Sequence, residues 1–371
     1  IYNLGDVLTG REEAFALSFP LLWVYTMVIA PKEQPYNSDD ICHRNSSRRC
    51  VSMLKPLKLA IIGLGHVGSA VLARAIPCQI ASEIACIDIR KEVAHGEALD
   101  AVHALPCSYT PSIHVYSGGF EECRNADVII CAAGPSIQPG EGNDRLVLAE
   151  KNIAVIRDVM GEVTKYTREA VFIMITNPLD ITTYVAATEF GYPAGRLFGT
   201  GTTLETLRFK SILGRHYHVD ATDVQGYMLG EHGNSAFPAW SSVGIGGMPL
   251  EDLDSLFEHE GALDRAAVAQ NVVNTAYDVL TSKGWTNTGI AMGACRLAKA
   301  VVTDEHAVLP VSMPLNGEYG LKDVALSLPS IIGKTGVTRR LPLHLPDDEL
   351  ALLKKSAASI QEVLRANGLI H

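Results

Sequence analysis

The sequence predicts an α/β protein in which a doubly wound parallel sheet is followed by a domain of the α+β class. Two observations predict the sheet. Short, continuously apolar runs such as LKLAII and VIICAAG are typical of strands covered on both faces. These runs alternate with helical patterns, the order that builds a parallel sheet. The third observation is that glycine-rich, irregular stretches replace this alternation after Gly201. We therefore expect a sheet domain at residues 56–200 and a second domain at residues 201–371.

The elements of the sheet domain follow one another at regular intervals. The predicted strands are residues 57–62, 84–89, 114–116, 126–134 and 170–178, the last stopped by Pro178. The predicted helices are residues 63–76, which open with a glycine turn, residues 91–105 and residues 145–166. In the second domain, the apolar spacing of residues 347–366 predicts an amphipathic surface helix.

The charge and the cysteines exclude several classes of protein. A net charge of −10 without runs of Lys or Arg gives little attraction to nucleic acid or to an anionic membrane, so neither is an expected partner. The eight cysteines form no CxxC pair, so no metal site or redox motif is expected. Several lie in apolar runs, which predicts small buried residues in a reducing compartment and a cytoplasmic protein.

The first 55 residues form an extension that we expect to lie outside the fold. Residues 14–30 are an apolar run just short of the usual membrane-spanning length. Pro20 interrupts this run, and Glu12 and Glu13 precede it where a signal peptide has positive charge. A targeting segment stays open as the alternative.

The glycine turn after the first strand predicts a dinucleotide site in a Rossmann-type sheet. In GLGHVG the first glycine allows a tight turn, the second lets a pyrophosphate approach the backbone, and the third lets helix and strand pack closely. The phosphate would then lie at the start of the helix. Asp88 follows the second strand, where a carboxylate would bind ribose hydroxyls and repel a 2′-phosphate, which favours NAD over NADP. The residues predicted here to bind NAD are Gly63, Gly65, His66, Val67, Gly68 and Asp88.

One of the twelve histidines has an unusual setting. His232 lies between glycines in GEHGNS, on a predicted irregular segment. An imidazole titrates near neutrality and can both donate and accept a proton. A lone histidine is more often structural, so this setting alone leaves its role open.

Four motifs together resemble the L-lactate/malate dehydrogenase family. They are TNPLD, GTGTTLETLRFK, GEHGNSAFPAWS and KGWTNTGIA, and the resemblance covers about residues 56–371. The chain looks most similar to the L-2-hydroxyisocaproate and L-lactate dehydrogenase branch. The resemblance implies an NAD-dependent L-2-hydroxy acid dehydrogenase that assembles as a homotetramer or homodimer.

The resemblance also implies the roles of the catalytic residues. His232 matches the histidine that exchanges a proton with the substrate. Glu205 stands where the family normally has Asp and would orient the imidazole, although its extra methylene must displace the backbone or the pair. Arg208 matches the clamp on the substrate carboxylate, and Arg145 the loop arginine that polarises the carbonyl.

Further positions match residues that line the substrate and cofactor sites. Asn177 matches a residue that contacts both nicotinamide and substrate, and Asp180 beside it is interpreted as a helix cap. Thr286 and Gln138 match substrate-pocket positions. The further residues predicted to contact NAD are Ala132, Ala133, Gly134 and Ile290.

The loop at residues 135–144 suggests which acid is bound. Malate-type enzymes present an arginine here, and this loop has none before Arg145, which disfavours malate. Gln138 is the lactate-type residue, but the loop is longer than is typical, which favours a bulkier 2-oxo acid such as 2-oxoisocaproate over pyruvate. L-lactate dehydrogenase proper and a non-catalytic member of the fold stay open as alternatives.

Overall fold

The computed structural model describes residues 56–107, 112–135, 145–259 and 261–371, without the side chains of residues 145 and 146. The predicted extension at residues 1–55 and the loop residue Gln138 lie outside the described residues. No helix among the described residues has the length and apolar character needed to cross a membrane.

Six parallel strands form one part of a nine-stranded sheet. They are β1 (Lys58–Ile62), β2 (Glu83–Ile87), β3 (His114–Gly118), β4 (Val128–Cys131), β5 (Val171–Met174) and β6 (Leu197–Gly199). Their order is β3-β2-β1-β4-β5-β6, with every neighbouring pair parallel. This is the order of a Rossmann-type doubly wound sheet, so the predicted fold class is confirmed.

Helices cover both faces of these strands. They are α1 (His66–Ala75), α2 (Lys91–Ala104), α3 (Arg145–Tyr166) and α4 (Leu179–Glu189). Successive side chains of a strand point to opposite faces. Leu59 therefore packs in the core under α1 and α2, whereas Ala60 packs in the core under α3 and α4. Burial on both faces explains why the strands are apolar without alternation.

The second half of the chain continues the same sheet. Its helices are α5 (Thr203–His216), α6 (Leu250–Leu256), α7 (Arg265–Lys283), α8 (Thr288–Val302) and α9 (Asp347–Ala366). The antiparallel strands β12 (Ala307–Asn316), β13 (Lys322–Gly333) and β14 (Gly336–Arg340) extend the sheet beyond β6. Ser312 of β12 pairs with Gly199 of β6. This extension is a feature that the sequence pattern did not predict.

Short elements fill the irregular stretches of the second half. The short strands are β7 (Val224–Gln225), β8 (Met228–Leu229), β9 (Phe237–Pro238), β10 (Gly244–Ile245) and β11 (Met248–Pro249). The strands β7, β10 and β11 form one small sheet, and β8 and β9 form another. Four 3₁₀ helices lie at Phe120–Cys123, Ala221–Asp223, Trp240–Ser242 and Glu318–Gly320.

The described cysteines follow the prediction only in part. Four of them are buried, namely Cys86, Cys123, Cys131 and Cys295. Cys78 is half-buried and Cys107 is exposed, so the expectation of burial is wrong for Cys107.

Candidate active site

The glycine turn between β1 and α1 has the geometry of a phosphate cradle. Gly63 has φ +88°, and a Cβ there would lie 2.6 Å from the backbone nitrogen of Ala133. A Cβ on Gly68 would lie 1.8 Å from the Gly63 oxygen, whereas a Cβ on Gly65 would meet nothing within 4 Å. The first and third glycines therefore fit close packing, and the second faces open space. No side chain caps the start of α1, so its first N–H groups suit an anion.

Asp88 holds this turn against the end of β2. One of its carboxylate oxygens accepts a hydrogen bond from the Leu64 amide at 2.7 Å, and the other accepts one from the Arg90 amide at 2.8 Å. Each oxygen keeps a second lone pair that could accept from a hydroxyl. The carboxylate at the end of the second strand and the open cradle at Gly65 fit the ribose and the pyrophosphate of NAD.

The segment after β4 forms the next part of the same wall. Gly134 has φ +131°, and a Cβ there would lie 2.4 Å from the Asn152 side-chain oxygen. The Thr176 hydroxyl donates to the Ala133 carbonyl at 2.7 Å, and the Asn152 side chain donates to the Asn177 carbonyl at 2.6 Å. Because these bonds fix the chain ends of β4 and β5 relative to each other, the cavity wall is well defined.

A cavity of about 490 Å³ opens beside this wall and brings most of the predicted site residues together. Predicted residues that line it are Gly65, His66, Val67, Ala132, Gly134, Asn177, Glu205, Arg208, His232, Thr286 and Ile290. Gly63, Gly68, Asp88 and Ala133 do not line it, and they build or flank the turn behind it. The side chains of Arg145 and Gln138 lie outside the described residues.

His232 lies between two buried carboxylates. Its Nδ1 is 2.8 Å from an oxygen of Glu205, and its backbone amide donates to Asp180 at 2.7 Å. The other Glu205 oxygen has no hydrogen-bond partner among the described residues. Glu205 therefore reaches the imidazole although its side chain is one methylene longer than Asp. At this distance the carboxylate attracts a charged imidazolium strongly.

These charges shift the pKa values of all three groups. Burial opposes a charge on His232, but the carboxylates of Glu205 and Asp180 outweigh it and raise the pKa of His232 to about 9. Burial would raise the pKa of Glu205, but His232 and Arg208 hold it below its ordinary value. Burial raises the pKa of Asp180 to about 7, against a hydrogen bond from Ser312 and the charge of His232. An imidazolium is thus the favoured state of His232 near neutral pH.

Asp180 corrects the interpretation made from the sequence. It lies in the first turn of α4, but no side chain caps that helix. Its carboxylate instead accepts hydrogen bonds from the His232 amide and the Ser312 hydroxyl. The prediction of a helix cap is therefore wrong. The TNPLD motif contained this residue, but the pairing across 52 positions leaves no local signal.

The positively charged side chain of Arg208 lines the cavity. It lies three residues after Glu205 on α5, so both side chains share one face of the helix. Burial lowers the pKa of Arg208, and the Glu205 carboxylate opposes that shift. Among the described residues, Arg208 makes no hydrogen bond or ion pair. A half-buried guanidinium in this state can hold a carboxylate by two parallel hydrogen bonds.

Two aromatic residues that the sequence analysis did not single out also line the cavity. The Trp285 ring stacks on His66 with centroids 4.0 Å apart and planes 3° from parallel. The Tyr277 hydroxyl bonds to the Asn234 side chain at 2.8 Å. His66 is thus exposed at the glycine turn yet held by a residue of the KGWT motif.

Two family models together match most of the chain. The model described as lactate/malate dehydrogenase, NAD binding domain, matches residues 57–199. The model described as lactate/malate dehydrogenase, alpha/beta C-terminal domain, matches residues 202–367.

Individual relatives agree with these models. The chain is 49% identical to an L-lactate dehydrogenase of Selenomonas ruminantium over 84% of this chain and 98% of that protein. It is 43% identical to L-lactate dehydrogenase 2 of Clostridium acetobutylicum, over 83% of this chain and 96% of that one. The crystal structure of a minor L-lactate dehydrogenase from Enterococcus mundtii superposes with a TM-score of 0.78 at 36% identity, covering 84% of this chain and 98% of that one. The chain therefore belongs to the lactate/malate dehydrogenase family and is an NAD-dependent 2-hydroxy acid dehydrogenase.

Proposed function

We propose that the chain interconverts L-lactate and pyruvate, with NAD as the carrier of the hydride. One observation carries the proposal: the unused guanidinium of Arg208 lines the same cavity as His232, whose pKa is raised to about 9. A cation for the acid group and a proton donor for the carbonyl are the two groups that reduction of a 2-oxo acid requires. NADH, when bound, supplies the hydride.

Arg208 positions the substrate. Its two parallel N–H groups would bind the substrate carboxylate and fix the direction of the neighbouring carbonyl. Asn177 and Thr286 line the same cavity and would contact the substrate, with Asn177 also near the nicotinamide. Ile290 is 7% exposed and would give the nicotinamide ring an apolar contact.

His232 moves the proton. Since Nδ1 lies against Glu205, the opposite ring nitrogen, Nε2, is the one available to the substrate. In reduction, the imidazolium donates its Nε2 proton to the carbonyl oxygen of the substrate. In oxidation, neutral His232 accepts the hydroxyl proton. Glu205 stabilises the imidazolium, and Arg145 would polarise the carbonyl from the loop side.

Pyruvate is the substrate that we place first. All three relatives described above are L-lactate dehydrogenases, and residues 136–144 of the loop whose length favours a bulkier acid lie outside the described residues. A branched acid such as 2-oxoisocaproate is the second candidate, because Val273, Ala276 and Leu280 give the cavity an apolar wall from α7.

The organisation of the protein is part of the proposal. We place the NAD-binding domain at residues 56–200 and the substrate domain at residues 201–371, a division supported by the two family models. We also propose a cytoplasmic homotetramer or homodimer, as the family resemblance implies. Light scattering on the purified protein measures the number of chains directly.

Steady-state NADH oxidation with pyruvate, 2-oxoisocaproate, phenylpyruvate and oxaloacetate tests the function. We expect pyruvate to give the highest kcat/KM. The highest value with oxaloacetate would contradict a lactate-type site, and no activity with any acid would favour a non-catalytic member of the family. Replacing His232 by Gln should lower turnover by about 10²–10⁴-fold with NADH affinity retained. The exposed His344, replaced by Gln, is the matched control and should change nothing.

A further inference from the structure

Three metal-binding side chains lie together away from the active-site cavity. His216 ends α5, Asp254 lies in α6, and His259 follows α6. One ring nitrogen of each histidine and one oxygen of Asp254 lie within 4.8 Å of one another. None of the three lines the cavity that contains His232.

One ring nitrogen of His216, Nε2, is buried and has no hydrogen-bond partner among the described residues. Its ring lies edge-on to Tyr217 and 5.9 Å from the His259 ring, with 25° between the two ring planes. A buried polar atom without a partner costs free energy, and a bound cation would remove that cost.

His259 has the hydrogen bond that metal-binding histidines make. Its Nδ1 lies 2.8 Å from the Gly261 carbonyl, and its Nε2 lies 3.1 Å from the Asp254 carbonyl. A neutral imidazole carries only one N–H, so only one of these contacts can be a hydrogen bond. If Nδ1 donates to Gly261, the ring orientation is fixed, and Nε2 keeps an unprotonated lone pair beside the main-chain carbonyl of Asp254 that can bind a cation.

Asp254 is oriented in the same way. One of its side-chain oxygens accepts a hydrogen bond from the Tyr217 hydroxyl at 2.8 Å. Ligating carboxylates are as a rule held by such an outer hydrogen bond, which leaves the remaining lone pairs for the metal. The cluster also lies at the carboxyl end of α5, where the helix dipole favours positive charge.

We propose that His216, Asp254 and His259 bind one divalent transition-metal ion, with Zn²⁺ the best fit. Two imidazoles and a carboxylate are a zinc-type ligand set, and water would complete a tetrahedron. Ligands about 2.1 Å from a tetrahedral ion lie about 3.4 Å apart, so the three side chains need only a small contraction. The ion would tie the end of α5 to α6 and to the loop that follows. His216 is distant in sequence from Asp254 and His259, which is why cysteine and motif spacing indicated no metal site.

Zinc binding to the untagged, full-length protein after chelator treatment tests the proposal. We expect calorimetry to show one Zn²⁺ per chain and thermal unfolding to show a higher Tm with Zn²⁺ than with chelator. His259→Ala and Asp254→Asn should each weaken binding at least ten-fold, and Tyr217→Phe about ten-fold. The matched control is His306→Ala, since His306 lies 3.3 Å from Asp304 and, within the described part of the chain, no third metal-binding side chain joins this pair. It should leave Zn²⁺ affinity unchanged.

Co²⁺ serves as a spectroscopic probe of the ligands. We expect d–d absorption without a thiolate charge-transfer band, because the proposed ligands are nitrogen and oxygen. A strong thiolate band would overturn the proposal by placing the ion on a cysteine. Equal Zn²⁺ affinity in the native protein, His259→Ala and Asp254→Asn would overturn it too, as would the absence of Zn²⁺ binding to the native protein. Lactate dehydrogenase activity measured alongside reports whether each variant is folded.

Discussion

Replacing Glu205 by Gln should move the pH dependence of pyruvate reduction downward by about 2.5 pH units. The pKa of His232 is raised from 6.5 to about 9 although burial alone would lower it, and the charge of Glu205 is the first of the influences that raise it. Gln keeps the length of the side chain and removes that charge. In the variant, burial disfavours the imidazolium, and Asp180 is the carboxylate that still favours it. The pKa of His232 should therefore fall to about 6.5 or below.

The sign of the effect follows from the protonated form being the reactive one in reduction. In the native protein, reduction should be lost as pH rises through about 9, and in the variant as pH rises through about 6.5. At pH 7.5, a pKa near 6.5 leaves about one molecule in ten protonated, so reduction falls about ten-fold from protonation alone. Lactate oxidation needs neutral His232, so its lower pH limit should move downward as well.

The assay is kcat/KM for pyruvate with saturating NADH between pH 5 and pH 10, which reports the pKa of the enzyme–NADH complex. Glu349→Gln is the matched control, because Glu349 is also buried but accepts hydrogen bonds from Ser241, and neither residue lines the cavity. A Glu205→Gln variant that still loses activity near pH 9 would refute the reasoning. It would show that Asp180, and not Glu205, holds the charge on His232.

Three further changes test separate parts of the site. Arg208→Lys should raise KM for pyruvate and lower kcat/KM about 10²-fold with NADH affinity unchanged, because an ammonium cannot form two parallel hydrogen bonds. Steady-state kinetics measures KM and kcat/KM, and fluorescence titration measures NADH affinity. Gly68→Ala should lower Tm and abolish NADH binding, since the added Cβ would lie 1.8 Å from a backbone oxygen, whereas Gly65→Ala should weaken NADH binding with Tm nearly unchanged. Asp88→Asn should weaken NADH binding and lower the ratio of the affinity for NADH to that for NADPH. An unchanged ratio would argue against the predicted ribose contact.

Local pattern was enough to predict most of the sheet domain. The helices at residues 145–166 and 347–366 begin and end where their apolar spacing predicted. The strand predicted at residues 170–178 is shorter, Val171–Met174, because the sequence marks an end only at Pro178, whereas the chain leaves the sheet after Met174. Strand ends depend on pairing with neighbours, which a local pattern does not contain.

Contacts between distant segments could not be predicted in this way. The pairing of β12 with β6 joins Ser312 to Gly199, and nothing in either segment marks the other as its neighbour. The same holds for Trp285 and His66, whose stacking depends on how α8 packs beside the glycine turn. The family motifs indicated which residues belong to the site, but the geometry between them required the fold.

The continuous sheet has a consequence for how the protein unfolds. Ile290 and Leu297 of α8 lie in the same hydrophobic core as Leu59 of β1, and β12 covers the edge of β6. Removing everything after residue 200 would expose that core face and leave β6 as an open edge strand, which favours aggregation. The residues before and after residue 200 should therefore unfold in a single cooperative transition. A chimera that takes its second part from a relative would have to match the surfaces of both α8 and β12 to the first part.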